Sequence, residues 1–167
     1  DLAREVRDLL KADGITAVLV THDQLEAFAM ADQIAVLGGG RVHQWGTGFG
    51  LYHEPANRFV ANFIGQGVLL PGTVVDELRV KTELGRVAGA RPHGLATGQA
   101  VEVLIRPDDM LYDDSSPRRA SVVELAFRGA EYLYTLRLAS GTQVLCLVPS
   151  HHQHALVGVD DAGRADR

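Results

Sequence analysis

Ile15-Thr16-Ala17-Val18-Leu19-Val20-Thr21-His22-Asp23-Gln24-Leu25-Glu26-Ala27 opens as an apolar run, turns polar at Thr-His-Asp and passes directly into a helical pattern. A continuous run of Ile, Val and Leu predicts a strand over residues 15–20 that is covered on both faces. Open α/β sheets bind ligands beyond the carboxyl ends of such strands, which makes His22 the first candidate for chemistry. Upstream, Leu2, Val6, Leu9 and Leu10 recur at helical spacing opposite Arg4, Glu5, Arg7 and Asp8, and Asp13-Gly14 supplies the stop. Downstream, Asp23 is a good N-cap, with Glu26 at the N3 position of a capping box, for a helix expected to bury Leu25, Phe28 and Ala29. Ile34 to Leu37 reads as a second short strand, and Gly38-Gly39-Gly40 as the turn into Arg41 to Trp45. This is αβαβ grammar, the rear portion of an α/β domain.

From Gly46 to Gly65 the chain changes to short helical pieces. Phe49 to Tyr52 is broken by Pro55, and Phe59, Val60, Phe63 and Ile64 form an apolar stripe after Asn57, most simply a core face. Gly65-Gln66-Gly67 reads as a boundary. Beyond it the period becomes that of strands: Leu70 to Asp76, Leu78 to Thr82, Ala100 to Arg106, Ser121 to Phe127, Tyr132 to Leu138 and Gln143 to Val148. Ala139-Ser140-Gly141-Thr142 is the clearest hairpin signal. The expected organisation is an α/β fragment with a helical connector over 1–66, an all-β small barrel or sandwich over 67–157, and a frayed polar tail over 158–167.

Bulk properties narrow the function classes. The chain has 167 residues, is 46% apolar and carries a net charge of −5, with Lys and Arg scattered along it, so a nucleic-acid partner is not expected. Cys146 is the single cysteine and lies within Val144-Leu145-Cys146-Leu147-Val148, where a small buried thiol is the expected role. No disulfide can form within the chain, which fits a reducing compartment. No apolar run reaches the roughly 18 residues of a membrane span, and no secretory leader pattern opens the chain. Its start inside a helical pattern suggests a piece of a longer polypeptide.

Four segments together resemble the C-terminal portion of ATP-binding-cassette importer ATPases of the ferric-iron, spermidine and maltose type. They are the helix Leu2 to Ala12, the stretch ending in Thr21-His22-Asp23-Gln24-Leu25-Glu26-Ala27, the stretch Asp32 to Leu37 with its glycine turn and Arg41-Val42-His43-Gln44-Trp45-Gly46, and Leu51-Tyr52-His53-Glu54-Pro55 running to Gly65. Gln66-Gly67-Val68-Leu69-Leu70-Pro71-Gly72 and Val103-Leu104-Ile105-Arg106-Pro107-Asp108 look like the ferric-cation branch, and the β-rich remainder looks like an OB-like regulatory region of TOBE type.

The resemblance implies that His22 is the switch histidine: it contacts the γ-phosphate of ATP and helps hold the hydrolytic water while two cassettes close around two nucleotides. An imidazole can donate a hydrogen bond to a phosphoryl oxygen whose charge must be stabilised during transfer. ATP and Mg are the implied cofactors of the whole protein. Membrane permease subunits are the implied partners, with a periplasmic substrate-binding protein engaged indirectly. The implied location is the cytoplasmic face of a bacterial inner membrane. A homodimer, with or without exchanged strands, is expected because edges of small β units tend to pair or be covered. The Gly-rich phosphate loop, glutamine loop, cassette signature and acidic strand end are not in this sequence. This chain alone is therefore expected neither to bind ATP tightly nor to hydrolyse it. Gly48-Phe49-Gly50 also departs from relatives that carry a proline and an acidic residue there.

Other constellations have weaker readings. His151-His152-Gln153-His154 could suggest a metal, but consecutive histidines on one loop cannot all converge on one ion, so an exposed loop is expected. Asp108-Asp109 and Asp113-Asp114 lack the ligand spacing of a calcium loop and read as turns and caps. Thr47, Arg106, Arg128 and the Gly-rich turns could serve an oxyanion site, which keeps a non-enzymatic module sensing a small oxyanion or metal as the alternative function. An oligonucleotide-binding barrel is disfavoured by the acidic charge and the lack of a basic, aromatic face.

Overall fold

The computed structural model describes residues 2–111, 116 and 118–150. They fall into two compact units, Asp1–Gly65 and Gln66–Arg167. In both units, every strand pairing among the described residues is antiparallel.

In the first unit, α1 (Leu2–Ala12) stops where its sequence says it should. Gly14 takes φ +64°, its N–H donates to the Lys11 carbonyl at 3.2 Å, and the Ile15 N–H donates to the Leu10 carbonyl at 2.8 Å. This is a Schellman motif, which satisfies carbonyls the helix end leaves over. The next helix, α2 (Gln24–Met30), is held against α1 by cations on α1. Arg7 donates to the Met30 carbonyl at 3.0 Å and to Asp32 at 2.6 Å, and Lys11 reaches the same Asp32 oxygen at 2.9 Å. Positive charge at the carbonyl end of α2 complements its dipole.

β1 (Ile34–Gly38) and β2 (Arg41–Gly46) form a two-stranded hairpin. Gly39 at φ +54° and Gly40 at φ +76° make the two-residue turn, whose left-handed backbone matches strand twist and suits glycine. Then α3 (Gly48–His53) is capped by the Thr47 hydroxyl, which accepts from the Gly50 N–H, and α4 (Arg58–Phe63) by the side-chain amide oxygen of Asn57, which accepts from the Val60 N–H. The unit's core is small: Val36, Leu51, Val60 and Ile64, with Phe28, Ile34 and Tyr52 against it.

Three expectations for this unit are corrected. Residues 15–20 form no strand: Val18 and Val20 are 91% and 93% exposed, and no described segment pairs with them. A strand exists only through a ladder partner, and here β1 and β2 satisfy each other, leaving the run bare. The sheet of this unit is thus the antiparallel β1–β2 hairpin that the glycine turn marked, with no third strand beside it among the described residues. In α2, only Phe28 reaches the core, while Leu25 is 78% exposed and Ala29 is exposed. The apolar stripe of α4 also divides, with Val60 and Ile64 buried and Phe59 and Phe63 half-exposed.

The second unit has β3 (Val68–Val74), β4 (Arg79–Thr82), β5 (Gly85–Ala88) and β6 (Ala100–Ile105) in one sheet, ordered β5-β4-β3-β6. After a short 3-10 turn at Pro107–Asp109, β7 (Ser121–Phe127), β8 (Glu131–Arg137) and β9 (Gln143–Pro149) form a second sheet in chain order. Leu70, Ile105, Leu138 and Val144 form one buried cluster drawn from both, with Val68, Val87, Val103, Met110 and Leu136 packed on it. On β9 the period-two burial is explicit, because Val144, Cys146 and Val148 point in. Among the described residues, β5 is the one strand the sequence pattern missed.

The expected turn between β8 and β9 is present. The Gly141 N–H donates to the Leu138 carbonyl, the Leu138 N–H donates to the Thr142 carbonyl, and Gly141 sits at φ +89°. Glu83 pins this turn to the β4–β5 turn by accepting from the Ser140 N–H at 2.7 Å and the Ser140 hydroxyl at 2.6 Å.

Candidate functional site

His22 lies in a bend between the bare apolar run and α2, and its side chain is exposed. The backbone around it is fixed by short polar side chains. Asp23 caps α2, its Oδ1 accepting from the Leu25 N–H at 2.8 Å and the Glu26 N–H at 3.1 Å. The Thr21 hydroxyl oxygen accepts from the Asp23 N–H at 3.0 Å and donates to the Glu26 carboxylate at 2.7 Å. Glu26 therefore closes the cap through Thr21; the capping box expected from the sequence would have sent it to the Asp23 N–H. The result is a turn held by four hydrogen bonds to side chains, with the His22 imidazole exposed on it.

Gln24 extends this turn toward α4. Its amide nitrogen donates to the Phe63 carbonyl and its amide oxygen accepts from the Gly65 N–H at 2.8 Å. Periodicity carries no signal for that contact, since the partners lie 39 and 41 residues away. At the other end of α2, Asp32 is held below the ordinary carboxylate range, first by its hydrogen bond from Lys11 and then by the charges of Lys11 and Arg7.

The residues weighed for an oxyanion site have separate structural jobs. Thr47 caps α3. Arg106 is buried, its guanidinium donates to the Gln66 carbonyl at 3.1 Å, and its backbone N–H donates to Asp109 at 2.7 Å. Arg128 is exposed in the β7–β8 turn, where its N–H donates to the Glu131 carbonyl. Asp109 thus has the cap role expected for it. Asp113, Asp114, His151, His152, Gln153, His154 and the tail 158–167 lie outside the described residues.

Cys146 is buried as expected, with its thiol 3.7 Å from the Met110 carbonyl, and burial pushes its pKa up. Among the described residues, no three His, Cys, Asp or Glu side chains cluster as a metal site would require. No helix there is long and apolar enough to cross a membrane.

Residues 103–163 match the family model of the TOBE domain, a module typical of the C-terminal regions of importer ATPases of the ATP-binding-cassette type and also associated with molybdate-binding proteins. The matched stretch takes in the end of β6, the 3-10 turn and the whole β7-β8-β9 sheet.

Proposed function

We propose that this chain is the C-terminal part of the ATP-hydrolysing subunit of an ATP-binding-cassette importer, joining a nucleotide-contacting segment to a regulatory TOBE module. The observation that carries the proposal is the Thr21-His22-Asp23 turn standing at the end of a bare apolar run, upstream of a TOBE match. Residues as apolar as Ile15, Val18, Leu19 and Val20 belong between layers of a sheet, and the missing layers are those that the rest of a nucleotide-binding domain would supply.

In this reading His22 donates a hydrogen bond to a γ-phosphoryl oxygen of ATP. The Thr21, Asp23 and Glu26 bonds hold the turn so that the imidazole meets developing charge without reorganising. Magnesium would neutralise phosphate charge in the whole protein. Among the described residues no three His, Cys, Asp or Glu side chains cluster to hold it; in this reading its ligands come from the rest of the nucleotide-binding domain. Docking on permease subunits at the cytoplasmic membrane face and pairing of two copies are parts of the same proposal. Ferric iron as the transported substrate rests only on the likeness of residues 66–72 and 103–108 to that branch.

The rival is a module that binds a small oxyanion by itself, and titration calorimetry of this chain separates the two. Our reading expects no heat with molybdate, sulfate or phosphate at millimolar concentration. Saturable binding with one-to-one stoichiometry would favour the rival, whereas Arg106 is already occupied by Gln66 and Asp109 is occupied by the Arg106 N–H.

A further inference from the structure

Gln24 is the first residue of α2 and stands two positions past His22. Both ends of its amide are used on the exit of α4: the nitrogen donates to the Phe63 carbonyl and the oxygen accepts from the Gly65 N–H. A helix end leaves carbonyls without partners, and Gly65, at φ +70°, is where the chain turns out of the first unit. Rotating the amide by half a turn would set nitrogen against N–H and oxygen against carbonyl, so one orientation alone satisfies both groups.

Toward its own N-terminus Gln24 is fused to the His22 turn through the Asp23 cap and the Thr21 to Glu26 bond. The far end of α2 is held separately, by Arg7 on the Met30 carbonyl, and its middle by Phe28 on the core. Loss of Gln24 therefore loosens the end of α2 that carries His22.

We infer that Gln24 is a positioning residue that couples the placement of the His22 imidazole to the path by which the chain leaves Gly65 for the β-rich unit. The coupling rests on the reading of His22 as a phosphate contact and deepens it, since a regulatory module needs a mechanical link to the nucleotide. Within the first unit, one side chain ties the His22 turn to the end of α4 with two hydrogen bonds. No charge is involved, so the coupling should be insensitive to salt.

The test is amide hydrogen exchange and histidine side-chain NMR on the 167-residue chain. Gln24→Ala should speed exchange at Gly65 by about tenfold, as expected for one lost hydrogen bond, and shift the His22 Cε1–H resonance. Gln24→Glu keeps an acceptor for Gly65 but loses the donor to Phe63, so it should retain Gly65 protection while still moving His22. The Val60 amide, held by Asn57, is the control for unfolding. If it too loses protection in Gln24→Ala, the Gln24→Glu variant decides.

Gly65 released with His22 unmoved, or neither responding, overturns the coupling. In the intact polypeptide Gln24→Ala should lower kcat for ATP with KM changed less than about twofold, the signature of lost transition-state positioning; a rise in KM at unchanged kcat would count against it. The NMR result involves no nucleotide, so a failure of the phosphate-contact reading is seen separately, in the turnover of His22→Ala.

Discussion

Replacing Leu70 by Ala and, separately, Leu125 by Ala tests whether the β-rich unit is held by one core shared between its two sheets. Leu70 lies on β3 at 1% exposure within the shared cluster, and Leu125 lies on the edge strand β7 at 44% exposure. Each substitution removes three carbons, worth about 0.8 kcal/mol apiece when fully buried, or about 2.4 kcal/mol at Leu70. A residual void of roughly 50 Å³ there would add about 1.2 kcal/mol, for a total near 3.5 kcal/mol. At Leu125 partial exposure roughly halves the transfer loss and water fills the space, leaving about 1.3 kcal/mol. Set against the roughly 5 to 15 kcal/mol that holds a domain folded, the first change is severe and the second mild. Urea unfolding followed by far-UV circular dichroism reads both, provided the slope with denaturant stays constant. Equal losses at the two positions, or a loss under about 1 kcal/mol at Leu70, would refute the shared core.

Asp32 should titrate below its unfolded value near 3.8 because Lys11 and Arg7 favour its charged form. Its contribution is thus present above that value and lost as pH falls through the lower folded one; carbon-detected NMR titration should show the midpoint rising in Lys11→Met, and an unchanged midpoint would contradict the assignment. Cys146 should react with an aromatic disulfide reagent far more slowly in the native chain than in urea, since burial both shields the thiol and disfavours its thiolate; equal rates would show an accessible site. Gly40→Val should cost about 1 to 2 kcal/mol through backbone strain alone, because φ is +76° and a Cβ there would meet nothing within 4 Å. Gly39→Asn should be tolerated, and thermal unfolding compares the two.

Local signals were the legible part of the sequence. Asp13-Gly14, Asp23, Asn57, Gly39-Gly40 and Ser140-Gly141 all punctuate the chain as their side chains and backbone preferences require. Cys146 and Asp109 were readable for the same reason, since an alternating apolar run and a turn each define their own neighbourhood. The run 15–20 misled because apolar content reports a preference for burial, while a strand also needs a neighbour that these described residues do not give it. Strand β5 was hidden by its brevity and by having Val87 as its main apolar anchor. The contacts of Gln24 with Phe63 and Gly65, and of Glu83 with Ser140, join residues distant in sequence, where no period or motif points.

The proposed phosphate contact by His22 is tested most directly by steady-state ATP turnover of the intact polypeptide with His22 replaced by Ala. Loss of one hydrogen-bond donor to the transferring phosphoryl group predicts a fall in kcat of about 10² to 10³-fold with nucleotide affinity retained. Turnover within a few-fold of the parent protein would contradict the account.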